Sequence, residues 1–354
     1  MKILHILNHI QETGNGIVNV AVDLACLQAQ AGHSVGVASA GGKYQNLLER
    51  YGVQHFSLDQ TRRPANLLLA ARRYRRVVQD FQPEIVHAHM MTGVTLARAL
   101  RYGHSYTLIS TVHNEFQRSA IWMGLADGVI AVSQAVAEAM AQRGIPQAKL
   151  RVVRNGTLGS PRRRGESASA VHSLNHPAIA TVAGMYHRKG IADLIAAFER
   201  VAPQVPTAHL YLIGDGPDRA EFETQVQRTQ VRDRIHFEGF QPEPQRYLRA
   251  ADVFVLASHK DPFPLVLPEA REAGCAIVAS RVDGIPEALE QGQAGILVPP
   301  KDPMALAEAL MKLLSNLETL QFWRRQAQEN ISWLSAQRVC TETQNIYREF
   351  HRSP

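Results

Sequence analysis

Cysteine is scarce in this chain: Cys26, Cys275 and Cys340 are the only three, and no two lie close together. Such a set supplies neither a disulfide framework nor the ligand spacing of a zinc knuckle, and it points to a reducing compartment. Long apolar runs are missing as well. No window approaches the roughly 20 apolar residues of a membrane-spanning helix. The opening Met1-Lys2-Ile3-Leu4-His5-Ile6-Leu7-Asn8 is too short and too interrupted for a signal peptide, and it reads as a first strand. The expectation is a cytoplasmic protein, soluble or held peripherally at the cytoplasmic face of a membrane. A dinucleotide fingerprint is absent too. The loop Gln11-Glu12-Thr13-Gly14-Asn15-Gly16 comes near to G-x-G-x-x-G, but Asn19 stands where the last glycine belongs, which disfavours NAD.

What is present suits a folded protein with two cores: 354 residues, 45% apolar and 20% charged. The net charge of +6 permits a polyanionic partner. Basic groups crowd one segment, residues 62–76, from Arg62 and Arg63 to Arg72, Arg73, Arg75 and Arg76 on a helical pattern beginning at Pro64. That helix either lies on anionic lipid or is a solvated face whose arginine stems cover apolar surface. Nucleic acid is disfavoured, because neither aromatic interleaving nor a helix-turn-helix pattern accompanies the charge.

Apolar strand patterns at 2–7, 34–39, 84–88, 106–111, 128–132 and 150–153 alternate with helical patterns at 17–31, 64–80, 118–123 and 134–143. The rhythm breaks at Asn155-Gly156 and restarts with strands at 178–183, 208–213, 234–237, 252–256, 276–279 and 296–298. Helical patterns at 190–202, 218–229, 242–249, 265–273 and 303–314 separate them, and a last helical stretch covers 318–350. The fold class is therefore α/β, with two doubly wound Rossmann-like domains facing each other across a cleft. Residues 1–160 form the first domain, 161–176 a linker or exposed loop, 177–330 the second domain, and 331–354 a terminal helix.

Open parallel sheets bind ligands beyond the carboxyl ends of their strands. At such ends lie Gly14 and Gly16, then Arg188 and Lys189, then Gly214 and Gly216. The glycines either let a backbone approach a ligand or simply make tight turns. The adjacent cations Arg188 and Lys189 suit a diphosphate, or else solvate a turn. The stretch Ser258–Gly274 adds Asp261 to accept from sugar hydroxyls and a helix start at Phe263, Pro264, Leu265 and Val266 whose amides favour phosphate, with Pro264 contributing none. Glu269 follows one turn in, either as a receiver of a vicinal diol or as an ordinary first-turn acid. His87 and His89 share one strand face. They suggest a metal pair, yet no third ligand is identifiable beside them, so a structural or acceptor-side role is preferred.

In order along the chain stand Ala31-Gly32-His33-Ser34-Val35, Pro83-Glu84-Ile85-Val86-His87-Ala88-His89, Thr111-Val112-His113, Asn155-Gly156, Lys189-Gly190, Gly214-Asp215-Gly216-Pro217, the Asp261 to Glu269 spacing and Asp283-Gly284-Ile285-Pro286-Glu287. With these motifs the sequence resembles the retaining glycosyltransferases of family 4, of GT-B architecture, over essentially its whole length. The resemblance implies a nucleotide-diphosphate sugar as donor, bound mainly by the second domain, and a saccharide, lipid-linked or small-molecule acceptor on the first. It implies no metal or other cofactor, and catalytic roles for His113, Lys189 and Asp261. It also implies that the final helix crosses back to the first domain. Asp261 stands where the family has glutamate, and Gly184 where it often has an arginine, which leaves Arg188 as the substitute. Two other readings fit the same residues: a non-catalytic nucleotide-sugar binding or scaffolding protein, and a sugar-nucleotide epimerase.

Overall fold

A computed structural model describes residues 1–61, 64–163 and 171–351. The chain divides into two compact units, one comprising Met1–Gly165 with Leu334–Pro354 and the other Glu166–Trp333. Arg62 and Arg63 lie outside the described residues.

The first unit is built on strands β1 (Lys2–Ile6), β2 (Ser34–Ser39), β3 (Gln54–Ser57), β4 (Ile85–Ala88), β5 (Thr107–Val112), β6 (Gly128–Ala131) and β7 (Leu150–Val152). They pair in parallel in the order β3-β2-β1-β4-β5-β6-β7. β4, β5 and β6 are buried at every position, as expected of strands with helices on both faces. β3 escapes the sequence pattern because it is an edge strand with no fully buried residue. The Gly16–Gln30 helix is capped by Asn15, whose Oδ1 accepts from the Ile17 amide at 3.0 Å.

The second unit repeats the plan with β8 (Ala178–Val182), β9 (His209–Ile213), β10 (Ile235–Gly239), β11 (Val253–Leu256), β12 (Ala276–Ser280) and β13 (Ile296–Val298). Its parallel order is β10-β9-β8-β11-β12-β13. Phe198 and Phe222 from the flanking helices close over Leu210, Leu212, Val253 and Val255 of the sheet. Each such side chain contributes roughly 1.5–3 kcal/mol by its burial.

Beside β3 and the helices Gln45–Arg50 and Met91–Ala99, which the sequence pattern omits, two further stretches differ from expectation. The helical pattern over 318–350 is two helices, Leu317–Gln328 in the second unit and Ala336–Phe350 in the first, the latter capped by Ser335. Pro161–Arg163, expected in an exposed linker, form a turn fastened to the first unit. The cause is Asp23, a nearly buried acid in the Gly16–Gln30 helix, which takes hydrogen bonds from Arg162 Nε at 3.1 Å, Arg162 Nη2 at 3.0 Å and Ser160 Oγ at 2.7 Å. A buried carboxylate requires such partners. Residues 164–170 of that expected linker lie outside the described residues.

Candidate active site

In the second unit, the strand order reverses between β8 and β11, the position where doubly wound sheets take their ligands. The loop leaving β8 ends in a short 3₁₀ turn, His187–Lys189, and then Gly190 at φ +66°. A Cβ on Gly190 would stand 1.9 Å from the Ala257 carbonyl oxygen. Only glycine lets this loop press against the end of β11. The press brings Lys189 Nζ to 2.5 Å from Asp261 Oδ2. Ser258 Oγ donates to the same oxygen at 3.4 Å, and the Asp261 amide donates to Asp283 Oδ2 at 2.7 Å. His259 is drawn in as well: its amide donates to the Arg188 carbonyl at 2.8 Å, and its Nε2 lies 2.5 Å from Asp193 Oδ2.

Gly214 and Gly216 serve the same loop from the other side. Added Cβ atoms would meet the Ala183 carbonyl oxygen at 2.0 Å and the Met185 carbonyl oxygen at 2.5 Å. Backbone packing by itself is enough to require glycine at both positions. At Gly184 a Cβ would meet the Tyr186 ring at 2.8 Å, and the guanidinium of Arg188 lies over that ring, 5.3 Å from its centroid. The Arg188 side chain is exposed. Past β11, Phe263 is buried with its ring edge-on to Trp333 at 6.4 Å, and Pro264 is buried beside it. Leu265 and Val266, half-buried, open the Val266–Ala273 helix, with Glu269 in its first turn. The leading amides of a helix lack internal acceptors and favour an anion.

In the first unit, His113 follows the last residue of β5 and borders a cavity of about 290 Å³. Asn8, Ile17, His89, Thr92 and Met123 are among its other walls. Behind His113 runs a buried row of imidazoles. His113 Nε2 is 3.1 Å from His89 Nδ1, His89 Nε2 is 2.9 Å from His5 Nδ1, and His5 Nε2 is 2.8 Å from Gln28 Oε1. His87 stacks on His89 at 4.2 Å and bridges Tyr347 Oη at 2.6 Å and Thr111 Oγ1 at 2.7 Å. Desolvation lowers His5 to about 4 and His113 to about 3, and holds His87 and His89 well below the usual imidazole value.

His5 corrects the expectation that His87 and His89 lack a third partner: one nitrogen from each of the three lies within 4.8 Å of the others. β1 and β4 are neighbours in register, with His5 opposite His87, which a sequence pattern for β4 alone does not reveal. All six ring nitrogens of the trio are engaged in hydrogen bonds.

The pattern of the family described as Glycosyltransferase Family 4 matches residues 14–157, and that of Glycosyl transferases group 1 matches residues 164–330. The alpha-maltose-1-phosphate synthase of Mycolicibacterium smegmatis is 30% identical over 294 residues, which is 75% of this chain and 73% of that protein. The chain belongs to the GT-B glycosyltransferases of the GT1/GT4 superfamily. A glycogen synthase of Mycobacterium tuberculosis is 28% identical over 290 residues, 76% of this chain and 69% of that protein. The structure of Anabaena HepE with UDP and glucose has the same fold, with a TM-score of 0.81 at 22% identity over 98% of both chains.

Within this glycosyltransferase, Gly14, Gly16 and His113 belong to the first unit. Arg188, Lys189, Gly214, Gly216, Asp261, Phe263, Pro264, Leu265, Val266 and Glu269 belong to the second. Among them Lys189 and Asp261 are brought into direct contact. Gly14, at φ +68°, and Gly16 bracket the capping Asn15, and Ile17, next in sequence, borders the cavity of His113. Residues that sequence reasoning missed are His5, Gln28 and Tyr347 behind His113, and Asp193, His259 and Asp283 around Lys189 and Asp261. Asp283 alone carried a signal, as part of Asp283-Gly284-Ile285-Pro286-Glu287, and its φ of +45° marks a constrained loop.

Proposed function

We propose that this glycosyltransferase is a family 4 enzyme that moves a sugar from a nucleotide-diphosphate donor to a saccharide or lipid-linked acceptor with retention at the anomeric carbon. The reading rests on one observation above all: the Lys189–Asp261 pair at the switch point of the second sheet, next to a helix opening at Val266. On this reading the second unit is the donor side. A donor diphosphate takes Lys189 from Asp261, with the amides at Leu265 and Val266 sharing the charge. Arg188, on its Tyr186 support, takes the place of the arginine that Gly184 replaces. Asp261, released, accepts from a sugar hydroxyl, and Glu269 receives the ribose diol.

In the reaction the bond between the anomeric carbon and the β-phosphate oxygen breaks, and the acceptor oxygen bonds to that carbon on the same face. The acceptor proton passes to the departing phosphate oxygen. Lys189 and the helix amides hold more charge in the transition state than in the ground state, which is what lowers the barrier. His113 contacts the donor sugar, and no metal is called for in this account.

The first unit is the acceptor side. Its Pro64–Phe81 helix exposes Leu68 and Leu69 (70% and 50%) beside exposed Arg72, Arg73, Arg75 and Arg76. Apolar and basic groups side by side suit a peripheral contact with anionic lipid, from which a lipid-linked acceptor is reached. Among the described residues no helix is long and apolar enough to cross a membrane.

The test is a thermal-shift panel of uridine, guanosine and adenosine diphosphate sugars with the free nucleotides, with and without divalent metal. UDP-glucose comes first because Anabaena HepE is described in complex with it. Selective stabilisation by one base, unaffected by metal, is the expected result, since a ligand of the native state raises its melting temperature. No shift with any member, from folded protein, would sink the donor reading. Product formation without an acceptor would favour an epimerase.

A further inference from the structure

The imidazole row behind His113 has a direction. Four buried histidines depressed by desolvation are neutral at pH 7, so each ring carries one N–H and one bare nitrogen. Gln28 sits at the inner end with its amide oxygen toward His5 and its amide nitrogen 3.3 Å from Tyr347 Oη, to which it donates. An oxygen can only accept, so His5 carries its proton on Nε2 and offers Nδ1 as a lone pair. His89 must then donate from Nε2 and accept at Nδ1. His113 in turn donates from Nε2. On the other branch, Tyr347 Oη accepts from Gln28 and donates to His87 Nδ1, and His87 Nε2–H donates to Thr111 Oγ1. Every member is satisfied, and the two branches agree on one orientation of the Gln28 amide.

We propose that Gln28, His5 and His89 form a tautomer relay that fixes His113 with its proton on Nε2 and its Nδ1 bare, so that the ring edge bordering the cavity is an obligate hydrogen-bond acceptor. Among the described residues Nδ1 of His113 has no protein partner, and the ring lines the cavity whose walls include Asn8 and Thr92. An acceptor there receives a hydrogen bond from a hydroxyl group and offers none to a carbonyl. That the hydroxyl belongs to a donor sugar rests on the reading given above; the relay itself does not. Gln28, His5 and His89 are positioning residues: they act on the ligand only through His113. The alternative use of the cluster, a metal held by His5, His87 and His89, takes one nitrogen from each ring and so requires at least two of these five hydrogen bonds to be given up.

The relay is tested on ligand-free protein labelled with 15N-histidine, by long-range proton–nitrogen correlation at neutral pH. The His113 signals are assigned by their loss in His113→Asn. The expected spectrum shows Nε2 of His113 in the pyrrole-like range and Nδ1 in the pyridine-like range. Gln28→Leu, which removes the acceptor, is expected to bring both nitrogens toward intermediate positions as the tautomers mix. Gln28→Glu, an obligate acceptor at the same place, is expected to keep the wild-type pattern. A wild-type His113 with its proton on Nδ1, or charged at pH 7, overturns the proposal without any variant. So does a Gln28→Leu protein, folded by circular dichroism, whose His113 signals do not move, and so does retention of zinc by the purified wild type. Because no donor is present, failure here leaves the donor reading intact, and failure of the nucleotide panel leaves the relay intact.

Discussion

Lys189 Nζ and Asp261 Oδ2 meet at 2.5 Å, although 72 positions separate them in the chain. Asp261 is 5% exposed, and Lys189 pairs with it as a salt bridge. Removing one member of a buried pair strands the other, at about 3–5 kcal/mol for full burial and less here, where Lys189 keeps some solvent. Lys189→Ala is therefore expected to lower both donor turnover and the urea midpoint. The double variant Lys189→Ala with Asp261→Asn is expected to regain most of the stability and none of the turnover. Equal recovery of both would show that the lysine acts only as a structural partner.

Gly190 and Gly184 lie in one loop and should respond differently to alanine. At Gly190 a Cβ meets backbone at 1.9 Å in a left-handed conformation, whereas at Gly184 it meets the half-exposed ring of Tyr186, which can turn away. Gly190→Ala is expected to cost about 2–4 kcal/mol and Gly184→Ala under about 1 kcal/mol. Denaturant unfolding of the two variants measures the difference; similar losses would contradict the loop packing described here.

The buried histidines make stability fall on acidification. His5 is lowered from 6.5 unfolded to about 4 folded. Its contribution is complete above pH 6.5 and is lost as pH falls through 4, because the unfolded chain takes up the proton first. At pH 5 His5 alone accounts for about 2 kcal/mol. Urea midpoints measured from pH 8 to 4 should decline below 6.5, and a flat profile over that range would refute the burial of these rings as neutral groups.

Leu68→Glu with Leu69→Glu is expected to abolish sedimentation with phosphatidylglycerol vesicles while leaving the melting temperature within about 1 °C, since both side chains are already in water. Charge reversal at Arg72 and Arg73 should weaken binding in a salt-dependent way. Sedimentation unaffected by either pair would remove the helix from any membrane contact.

The alternation of buried strands and amphipathic helices was legible because parallel strands are nearly continuous apolar runs, and the strand ends then pointed to Lys189, while His113 entered through the family resemblance and Asp261 through the Ser258–Gly274 stretch. β3 was not legible, since an edge strand needs no such run. Nor was the mutual pairing of Lys189 with Asp261, which depends on how closely the β8 loop packs against β11. The row from Gln28 to His113 was invisible for a stronger reason. Its contacts join residues 23, 84 and 24 positions apart, and Tyr347 reaches Gln28 across 319. Each residue taken singly reads as core. The Asp23–Arg162 pair was hidden in the same way, behind a segment whose composition resembles a linker.

The helix Ala336–Phe350 carries Tyr347 into the interior of the first unit, where its side chain is fully buried against His87 and Gln28. During synthesis, therefore, the unit whose strands emerge first cannot close its core until residue 347 has left the ribosome. The second unit, continuous from Glu166 to Trp333, can complete its fold earlier. Loss of the last helix would therefore leave the second unit's own core whole and open the first unit's interior around His87 and Gln28.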